Sequence, residues 1–555
     1  MLLINQTDIT SRYTKILTPG KRVGIMMKRN KALLSVLYQC FIHGVTYVPL
    51  DANWPAERIG CIVMETGLDT LYTSQELSPE ITISDSINVV VLGENDCVQF
   101  SGVNHPAEIA YILYTSGTTG KPKGVAVTRD ALLNFIEGIE ESLDYFQNLC
   151  VACVTSITFD IFFLESIMAL YKGLTVALMD EQEQQNPRQL ARLLANTAID
   201  IVQMTPSRLQ MLINTDKQLS CLKNVKEILV GGEAFPHSLL QVLQKYTEAR
   251  IYNLYGPTEA TIWATISDLT DKCTIDIGRP LKNISIFILD EKHQILAKGQ
   301  VGEICIAGKG LAKEYVGDSR LTAEKFIHLP EMPSTRTYCT GDLGRYLSDG
   351  SIEYWGRLDN EIKVRGQRIS PEEIEYHLDR FEHIQQSVVA TVKSGKNDKA
   401  LAAFYTSDID INPAEIYQYL ASRLPSNMIP VIFHRVETFI QTEHGKVDQN
   451  RLEECSIVQK QEPDLQRTAS EERTALQKNI WDIILHTLNK QQEDDISMDT
   501  NLASIGFDSV NFITMIIELE NELNFEFNDE MLLMANFSTI GSLIDYVESE
   551  VIQKT

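Results

Sequence analysis

A loop of glycines, hydroxyls and lysines follows an apolar segment near residue 115. Residues 111–124 read YILYTSGTTGKPKG, so a strand-like stretch leads directly into this loop. Glycines such as Gly117 and Gly120 let the backbone wrap an oxyanion with its N–H groups pointing inward. The side chains that can donate to a phosphate are those of Thr115, Ser116, Thr118, Thr119, Lys121 and Lys123. The loop therefore predicts a nucleotide phosphate site.

The spacing differs from that of the common phosphate loop, G-x-x-x-x-G-K-[ST]. Pro122 follows Lys121 at the place where that motif has serine or threonine. Proline lacks a backbone N–H and disfavours a helix opening at this point. We therefore expect the loop to hold its phosphates by another arrangement.

The overall composition excludes several classes of protein. Of the 555 residues, 44% are hydrophobic and 22% are charged, which is ordinary for globular protein. The formal net charge of −26 argues against duplex nucleic acid or an anionic membrane as a partner. The opening stretch MLLINQTDITSRYTK lacks a signal-peptide pattern, and no apolar run approaches the roughly 18 residues that span a bilayer. These features predict a cytoplasmic protein with no nucleic-acid and no membrane partner.

The cysteines do not predict a disulfide framework. Ten of them are scattered through the long chain. Cys150 and Cys153 form one C-x-x-C, but they lie inside LCVACV, which predicts a buried strand. A single pair without a second pair or histidines is a weak indication of metal, because buried cysteine usually serves as a small apolar residue.

The predicted secondary structure differs between regions of the chain. As far as about Trp263, strand-like runs such as DIVQM and EILVG alternate with helical patterns, which predicts an α/β fold of parallel sheets covered by helices. A β-rich stretch follows, then a smaller α+β segment, then a polar stretch without periodicity that predicts a linker. The predicted boundaries are 1–357 for a large N-terminal domain, 358–453 for a small α+β domain, 454–475 for the linker and 476–555 for the last domain.

The last region is acidic and helical. Residues 470–555 carry 17 acidic and 4 basic side chains, which accounts for half of the excess negative charge. Acidic tails of this kind can be disordered. Here, however, IWDIILHTL and FITMIIELENEL place apolar residues at helical spacing. A small all-α bundle is therefore predicted.

Several further stretches accompany the loop in a fixed order. They are YVPLDANWPAERI (47–59), NLYGPTEATIW (253–263), YCTGDLGRY (338–346), EYWGRLDNEIKVRGQRI (353–369), EHGKVDQNRL (443–452) and IGFDSVNF (505–512). With YTSGTTGKPKG, this series resembles the amino-acid adenylation domain of nonribosomal peptide synthetases, followed by a peptidyl carrier domain. The resemblance covers nearly the whole chain from about Lys21 onward.

The resemblance implies a fold and a reaction. The fold would be an adenylate-forming domain with parallel sheets, helices and a small β-barrel, then a mobile α+β subdomain and a four-helix carrier. The reaction would join a carboxylate to the α-phosphate of ATP, release pyrophosphate, and pass the acyl group to the thiol of 4′-phosphopantetheine. Because two anions meet in the first step, cations and N–H donors must neutralise the developing charge.

The resemblance also assigns roles to residues at the nucleotide. Thr115 to Lys121 and Lys123 would hold the departing phosphates. Glu259 matches the Mg²⁺-binding glutamate, a hard oxygen ligand suited to that ion, and Thr258 beside it would contact the α-phosphate. Asn253, Tyr255 and Tyr354 would contact adenine, and Asp342 and Arg357 would lie at the ribose. Gly232 is the remaining nucleotide-binding residue that the resemblance implies.

Three positions in the later regions match moving or modified parts of the family. Lys446 matches the lysine that bridges the substrate carboxylate and the α-phosphate, which would contribute a factor of about 10²–10³. Asp359 matches the hinge about which the small domain rotates, after which a face around 363–368 meets the incoming thiol. Ser509 matches the serine that carries 4′-phosphopantetheine, although Phe507 replaces a glycine that is usual there. For each lone lysine or carboxylate, the alternative is an ordinary solvated surface charge.

A recognisable set of positions lines the acyl pocket in this family. Asp160 matches the carboxylate that pairs with a substrate α-ammonium, which favours an α-amino acid. The pocket positions correspond here to Asp160, Ile161, Leu164, Gln203, Leu229, Gly231, Leu254, Ile262 and Trp263, with Lys446 completing the ring. Most are bulky and none is a charged partner for a substrate side chain, so the set predicts glycine, because extra methylenes would cost roughly 1–3 kcal/mol. The set also resembles the family's glycine-selecting pattern.

Other readings remain open at this point. Alanine or another small amino acid is the nearest alternative substrate, and an acyl-coenzyme A synthetase-like ligase shares the adenylation chemistry. A catalytically idle paralogue that acts as a scaffold is a third reading. The chain has no HHxxxDG and no GxSxG string, so we expect partners that act in trans. They would be a phosphopantetheinyl transferase and downstream condensation, tailoring or release enzymes.

Overall fold

We describe the chain from a computed structural model, which divides into two compact units. The first contains residues 1–116 and 122–368, and the second contains 117–121 and 369–555. The residues outside the description are 82, 104, 118–120, 144–148, 359–361, 365–366, 395–397, 431, 438, 440–474, 488–496, 499, 501, 503–506, 508, 524, 526, 529–530, 532–535, 538 and 555. Side chains are likewise outside it at 185, 363–364, 367, 393–394, 398–400, 475, 486, 509–511, 513–514, 517, 521 and 552–554.

The strands are short and numerous. In chain order they are β1 (Leu2–Ile4), β2 (Lys15–Leu17), β3 (Arg22–Met26), β4 (Thr46–Pro49), β5 (Thr70–Thr73), β6 (Asn88–Val91), β7 (Val98–Phe100), β8 (Ile109–Thr115), β9 (Lys123–Thr128), β10 (Cys150–Cys153), β11 (Thr175–Leu178), β12 (Ile201–Met204), β13 (Glu227–Gly231), β14 (Arg250–Tyr255), β15 (Thr265–Asp268), β16 (Arg279–Pro280), β17 (Ile284–Leu289), β18 (Gly302–Gly308), β19 (Glu314–Tyr315), β20 (Phe326–Leu329), β21 (Met332–Tyr346), β22 (Ile352–Arg357), β23 (Ile362–Val364), β24 (Gln367–Ile369), β25 (Ile384–Ser394), β26 (Asp398–Ser407) and β27 (Ile432–Arg435).

The helices alternate with these strands in the first half of the chain. They are α1 (Gln6–Thr10), α2 (Lys31–His43), α3 (Ala56–Thr66), α4 (Arg129–Ser142), α5 (Ile161–Phe163), α6 (Ala169–Tyr171), α7 (Glu181–Gln185), α8 (Pro187–Asn196), α9 (Pro206–Thr215), α10 (His237–Tyr246), α11 (Ser319–Lys325), α12 (Pro371–Leu378), α13 (Pro413–Ala421), α14 (Ala475–Thr487), α15 (Ser509–Leu523) and α16 (Ile540–Lys554). A π-helical turn, Leu164–Met168, joins α5 to α6.

The largest sheet carries most of the candidate substrate pocket. Its order is β1-β11-β10-β12-β13-β14-β15-β16, with parallel pairing from β11 to β14 and antiparallel strands at both edges. Residues in β10 alternate between two cores: Val151 and Cys153 pack on one face, and Cys150 and Ala152 on the other. Burial on both faces explains why this strand is a continuous apolar run. The prediction of a buried strand around the C-x-x-C is confirmed.

A second sheet carries the phosphate-loop candidate. Its order is β19-β9-β8-β4-β3-β5-β6, and β8 pairs with β9 in antiparallel fashion. The loop therefore joins two strands rather than a strand and a helix, in agreement with the effect expected of Pro122. One core cluster contains residues of both large sheets together with α2, α4 and the segment from Ile161 to Leu170. Helices thus lie between the two sheets, which confirms the predicted α/β class, although both sheets are mixed rather than wholly parallel.

A smaller antiparallel sheet follows in the first unit. Strand β21 is paired with β18, β20 and β22, and β17 pairs with β18. Its residues begin at Ile284 and end at Arg357, as the β-rich texture of this stretch predicts. Two of its strands, β21 and β22, bring nucleotide-site candidates into one place.

The second unit contains α+β and helical parts. Strands β25, β26 and β27 form a sheet, and α12 packs against β25. The helices α14, α15 and α16 share one apolar core that includes Trp481, Phe512 and Leu543. This helical core agrees with the predicted all-α carrier. Among the residues that the structure describes, no helix has both the length and the apolarity to cross a bilayer.

Candidate functional site

The carboxyl ends of the parallel strands bring the acyl-pocket candidates together. Gln203 on β12 lies beside Leu229 on β13, and Gly231 lies beside Leu254 on β14. Paired residues of adjacent strands point to the same face of a sheet, so these side chains share one surface. In open α/β sheets, ligands bind outside the carboxyl ends of the strands. The strands therefore place the predicted pocket where this class of fold binds its ligands.

Asp160 lies where the loop after β10 enters α5. Burial raises the pKa of its carboxyl to about 6, even though the Thr258 hydroxyl and the Ile161 backbone hydrogen-bond to the charged form. The nearby Glu259 carboxylate also raises this pKa. Among the described residues, no group hydrogen-bonds to the buried Oδ2 atom of Asp160. A cation that reaches this oxygen would therefore meet a strong acceptor with spare capacity.

The loop before Asp160 is fixed by a buried glutamate. Glu165, fully buried in the π-helical turn, accepts hydrogen bonds from the Val154 N–H (2.9 Å), the Thr155 N–H (2.8 Å) and the Thr155 hydroxyl (2.6 Å). Burial raises the pKa of Glu165, although the Thr155 hydrogen bonds and then the Arg29 and Arg208 charges act to lower it. π-Helical turns are frequent at functional sites. Here the turn keeps Glu165 on the loop while Asp160 begins the same helical segment.

The guanidinium groups complete this anchor from the other side. Nε of Arg29 donates to the Met179 carbonyl (2.5 Å), and Nη2 donates to the Cys153 carbonyl (2.6 Å). Arg208 donates to the Val154 carbonyl at 2.7 Å. The backbone that leads to Asp160 is thus held by charge-assisted hydrogen bonds, which are stronger than neutral ones.

Trp263 forms a wall of the candidate pocket against Gly231. A Cβ atom on Gly231 would lie 2.6 Å from Cη2 of Trp263 and 2.7 Å from the Leu254 carbonyl oxygen. Only glycine fits at this position, because real Cβ atoms do not approach so closely. The indole is 3% exposed, and Leu164, Leu229 and the other predicted apolar lining residues are also buried.

The backbone before Trp263 is strained. Thr261 and Ile262 have φ values of 63° and 68°, in the left-handed region that β-branched residues rarely adopt. Each such residue costs about 1–2 kcal/mol. The Thr261 hydroxyl offsets part of this cost by donating to the Gly310 carbonyl at 2.6 Å. Strain of this kind tends to be kept at functional sites, and here it aims the indole at Gly231.

Three further buried polar atoms near this pocket lack partners within the described part of the chain. They are Oε1 of Gln203, Nε1 of Trp263 and the hydroxyl of Tyr111. Burial and then the Asp160 charge raise the pKa of the Tyr111 hydroxyl, which indicates that Tyr111 lies near the carboxylate. Buried polar groups are normally satisfied, so this set is consistent with a polar ligand.

Glu259 is a buried, ionised carboxylate surrounded by donors. Burial would raise its pKa, but the Arg368 guanidinium, the Lys123 ammonium and the Tyr315 hydroxyl lower it to about 2. Tyr315 donates to Oε1 at 2.6 Å, Nη1 of Arg368 lies 3.3 Å from the same oxygen, and Nζ of Lys123 lies 3.7 Å from it. A carboxylate held in the charged form is a suitable ligand for a hard divalent cation.

The candidate site also contains a cavity of about 240 Å³. It is lined by residues from the ends of β13 and β14 and by Tyr354 of β22, with Trp263 also on its wall. The three predicted adenine residues, Asn253, Tyr255 and Tyr354, line this cavity, as does Gly232, which is predicted to bind the nucleotide. The Tyr255 and Tyr354 rings lie 6.2 Å apart at 45°. Aromatic walls with a few polar groups are typical of nucleotide-sized pockets.

Asp342 connects the cavity to the small sheet. One carboxylate oxygen accepts from the Tyr255 hydroxyl at 2.7 Å, and the other accepts from Nη1 of Arg357 at 2.7 Å. The pair Asp342–Arg357 is also a register pair between β21 and β22. These contacts bring the two predicted ribose residues together.

The phosphate-loop candidates are only partly described. In the first unit, the Thr115 hydroxyl is buried without a described partner, and the Ser116 hydroxyl donates to the Arg368 carbonyl at 2.5 Å. In the second unit, the Gly117 N–H donates to Oε2 of Glu373 at 3.1 Å. Thr118, Thr119 and Gly120 lie outside the described residues, whereas Lys121 is described and exposed.

Three other predicted residues cannot be placed in the site. Lys446 and Asp359 lie outside the described residues, so the catalytic lysine and the hinge stay predictions. Ser509 is the first residue of α15, which places it at a helix start as the sequence predicts, but its side chain is outside the description.

The structure adds residues that sequence reasoning missed. Tyr315 and Arg368 contact Glu259, and Glu165 fixes the loop before Asp160. Arg368 was within the stretch 363–368 predicted to meet a thiol, rather than at the predicted metal ligand. The apolar segment IFFLES (161–166), with one acidic residue, was a usable signal for Glu165, since a buried charge requires partners. Tyr315 carries no local signal.

Comparison with known proteins places the chain in a family. The AMP-binding enzyme family matches residues 14–316, and the phosphopantetheine attachment site family matches residues 482–547. The dimodular nonribosomal peptide synthase of Bacillus subtilis (strain 168) is 35% identical over 450 residues, which covers 78% of this chain and 19% of that protein. The chain thus spans about a fifth of the length of that relative.

Two solved structures share the architecture. Holo-PA1221, an NRPS protein that contains adenylation and PCP domains, superposes with a TM-score of 0.77 at 22% identity, over 96% of this chain and 88% of that one. Holo-AB3403, a four-domain nonribosomal peptide synthetase bound to AMP and glycine, gives a TM-score of 0.56 at 28% identity, over 96% of this chain and 39% of that one. The chain belongs to the AMP-binding enzyme family, as an adenylation domain of the nonribosomal peptide synthetase type fused to a phosphopantetheine carrier domain.

Proposed function

We propose that the protein activates glycine with ATP and loads it onto its own carrier domain. The glycine carboxylate attacks the α-phosphate of ATP, so that glycyl-AMP forms and pyrophosphate leaves. The thiol of a phosphopantetheine arm on Ser509 then attacks the acyl carbon, so that AMP leaves and the thiol proton passes to solvent. The single observation that carries the amino-acid assignment is the unpartnered buried oxygen of Asp160.

The nucleotide half of the proposal rests on the cavity and its neighbours. Adenine would bind in the cavity that Tyr255, Tyr354 and Asn253 line, where an aromatic ring is available for stacking. The ribose hydroxyls would donate to Asp342, whose position is fixed by Tyr255 and Arg357. Bidentate and charge-assisted contacts of this kind hold a ligand in a single orientation.

Glu259 fits the role of a Mg²⁺ ligand because its carboxylate is buried and ionised. When bound, the ion would neutralise charge on the phosphates during transfer. Lys123 and Arg368 now contribute the positive charge around Glu259. These cations would keep the carboxylate ionised until the metal nucleotide arrives.

The amino-acid half rests on Asp160. The Thr258 hydroxyl bonds to the carboxylate, and Oδ2 is left to accept from a substrate ammonium. A buried carboxylate without a counter-ion is costly. An α-ammonium group would therefore bind there and replace the proton on the carboxyl group. A fatty or aryl acid has no group for this oxygen, which disfavours an acyl-coenzyme A synthetase-like ligase.

The choice of glycine rests on the wall formed by Trp263. A methyl group added at Gly231 would already collide with the indole, so little space separates the two. A substrate side chain directed at this wall would require a shift of the indole, which its burial in the core opposes. Holo-AB3403 was solved with AMP and glycine, which supports the same substrate here. Alanine is the second candidate substrate, because its side chain is larger than that of glycine by only one methyl group.

Mass spectrometry of the full-length protein, measured whole and after proteolysis into peptides, tests the whole sequence of steps. The protein is first converted to its holo form with a phosphopantetheinyl transferase and coenzyme A, and then given Mg-ATP and an equimolar mixture of amino acids. We expect the Ser509 peptide to carry phosphopantetheine and an additional glycyl group. A different aminoacyl group would contradict the glycine assignment, and an acyl group from an added fatty acid would contradict the amino-acid assignment.

Matched variants separate the steps. Ser509→Ala should abolish loading but preserve glycine-dependent pyrophosphate exchange, whereas Ser504→Ala, five residues upstream, should preserve both. Lys446→Ala should lower the exchange rate by about 10²–10³. Unchanged exchange in Lys446→Ala would remove the role proposed for that lysine.

A further inference from the structure

Two cysteines and a glutamate face one another in the small antiparallel sheet. Cys305 on β18 and Cys339 on β21 are direct register partners, and their Sγ atoms lie 3.6 Å apart. The Glu303 carboxylate lies within 4.8 Å of both sulfurs. We propose that Cys305, Cys339 and Glu303 form a binding site for a thiophilic divalent cation of the Zn²⁺ class.

The spacing of the sulfurs matches such a cation. Zinc–sulfur bonds of about 2.3 Å at tetrahedral angles place two sulfurs about 3.8 Å apart. The observed separation of 3.6 Å is close to this value, and it far exceeds the roughly 2.0 Å of a disulfide. Cysteine thiolates and carboxylate oxygens are both zinc ligands, and a fourth position can be taken by water.

The surroundings of the three groups favour a bound cation. Cys305 and Cys339 are 0% and 6% exposed and belong to an apolar cluster with Leu289 and Leu329. The hydrogen bond to Cys339, followed by burial and the Glu303 charge, raises the pKa of the Cys305 thiol. A divalent cation would reverse that effect, since its charge stabilises thiolates. Binding would release the two thiol protons to the solvent.

Glu303 supplies both an access route and an outer contact. Its side chain is partly exposed, unlike the two sulfurs. One carboxylate oxygen accepts from the Gly341 N–H at 2.8 Å. Carboxylate ligands in metal sites are themselves hydrogen-bonded in this way.

The site is adjacent to the candidate ribose contact. Gly341 immediately precedes Asp342, and the Asp342 N–H donates to the Thr340 hydroxyl at 2.9 Å. A cation that draws Glu303 toward the sulfurs would alter the hydrogen bond to Gly341 and so the position of Asp342. This coupling, unlike the cation site itself, rests on the proposed function.

Cation binding is measured on the full-length, reduced, metal-free protein. Zn²⁺ affinity is obtained by competition with a chromophoric chelator, and Cd²⁺ titration is followed by thiolate-to-cadmium charge-transfer absorption. We expect one equivalent at this site, with at least a 100-fold weaker affinity in Cys305→Ser and Cys339→Ser and a smaller loss in Glu303→Gln. The double variant Cys61→Ser, Cys273→Ser, which removes two exposed cysteines, is the matched control and should bind as the wild type does.

Some results would overturn the site. Binding that is unaffected by Cys305→Ser and Cys339→Ser would do so, as would loss of binding in the control. The absence of a Zn²⁺-dependent rise in Tm of the wild type also counts against it, since a cation that binds the folded state must stabilise it; this measurement does not depend on any variant folding. A disulfide between Cys305 and Cys339 would instead lower the number of free thiols by two in the unreduced protein. Reductant would restore the two thiols, and the Cys305→Ser variant would not show this decrease.

The coupling to the nucleotide site has its own readout. We expect one equivalent of Zn²⁺ to change AMP affinity in the wild type but not in Cys339→Ser, as measured by calorimetry without magnesium. If the protein binds Zn²⁺ but not AMP, the proposed function fails and the cation site stands. If the wild type binds AMP with equal affinity with and without Zn²⁺, the proposed coupling is wrong.

Discussion

The ionisation of Asp160 should set the pH dependence of amino-acid capture. Burial, as the largest influence, raises the pKa of this carboxyl to about 6 in the free protein. The carboxylate must be ionised to pair with a substrate ammonium, which stays protonated throughout the acidic and neutral range. Acidification through pH 6 should therefore weaken capture of the amino acid.

The expected size of the effect follows from the pKa. With a value near 6, about nine-tenths of Asp160 is ionised at pH 7 and about one-tenth at pH 5. Because kcat/KM reports the ionisation of the free enzyme, kcat/KM for glycine should fall roughly tenfold over this interval. Glu259, whose pKa is lowered to about 2, stays ionised, so its metal and nucleotide contacts should not contribute to the fall.

Pyrophosphate exchange measures this directly. Glycine is varied at saturating Mg-ATP across the range from about pH 5 to pH 8, and samples held at pH 5 are returned to pH 7 to exclude inactivation. Asp160→Asn removes the titrating group and should give a flat profile. At pH 7 the kcat/KM of this variant for glycine should be lower by roughly 30- to 5,000-fold, because the substrate ammonium loses its buried partner. This factor corresponds to a free-energy loss of about 2–5 kcal/mol. A flat wild-type profile, or an unchanged slope in Asp160→Asn, would refute the reasoning.

Three further substitutions probe the surroundings of the site. Trp263→Ala should lower the preference for glycine over alanine by about tenfold or more, because one methyl group is worth roughly 1–3 kcal/mol in such a pocket. The preference is measured as the ratio of the kcat/KM values for the two amino acids. An unchanged ratio would exclude the indole as the group that selects glycine. Tyr315→Phe removes a 2.6 Å hydrogen bond to the buried Glu259 carboxylate and should lower the free energy of unfolding in urea by about 1.5–3 kcal/mol. A decrease of less than about 0.5 kcal/mol in this free energy would show that the bond is not formed. Glu165→Gln removes the buried charge that accepts three hydrogen bonds from Val154 and Thr155 and should cost about 1.5–3 kcal/mol of stability. It should also reduce kcat/KM for glycine more than that for ATP, whereas equal losses would indicate general unfolding.

Local sequence determined much of the architecture. The run LCVACV predicts a buried strand, and the structure confirms one at Cys150–Cys153. Pro122 after Lys121 predicts that no helix opens there, and β9 begins at Lys123. Such features depend on side-chain type and on backbone sterics within a few residues, so they can be read without knowing the fold.

The candidate site was predictable only where short strings carry it. Glu259, Asp342 and Asp160 were identified from distinctive motifs, and the structure places Asp160 close enough to Glu259 for their charges to interact. The motifs gave no indication that Tyr315 would donate to Glu259, 56 positions earlier in the chain. A hydrogen bond over that separation depends on how β19 packs against the turn after β14 that contains Glu259.

The sequence by itself determined that this chain has the parts of an adenylation domain and a carrier, because each motif is a local requirement of backbone shape and charge. The tertiary structure alone decided which distant groups meet: Trp263 against Gly231, Glu165 on the loop before Asp160, and Cys305 opposite Cys339. Strand register and helix packing set these contacts over tens of residues. They arise because the chain minimises exposed apolar surface and unpaired polar groups as a whole, and no stretch of it encodes them separately.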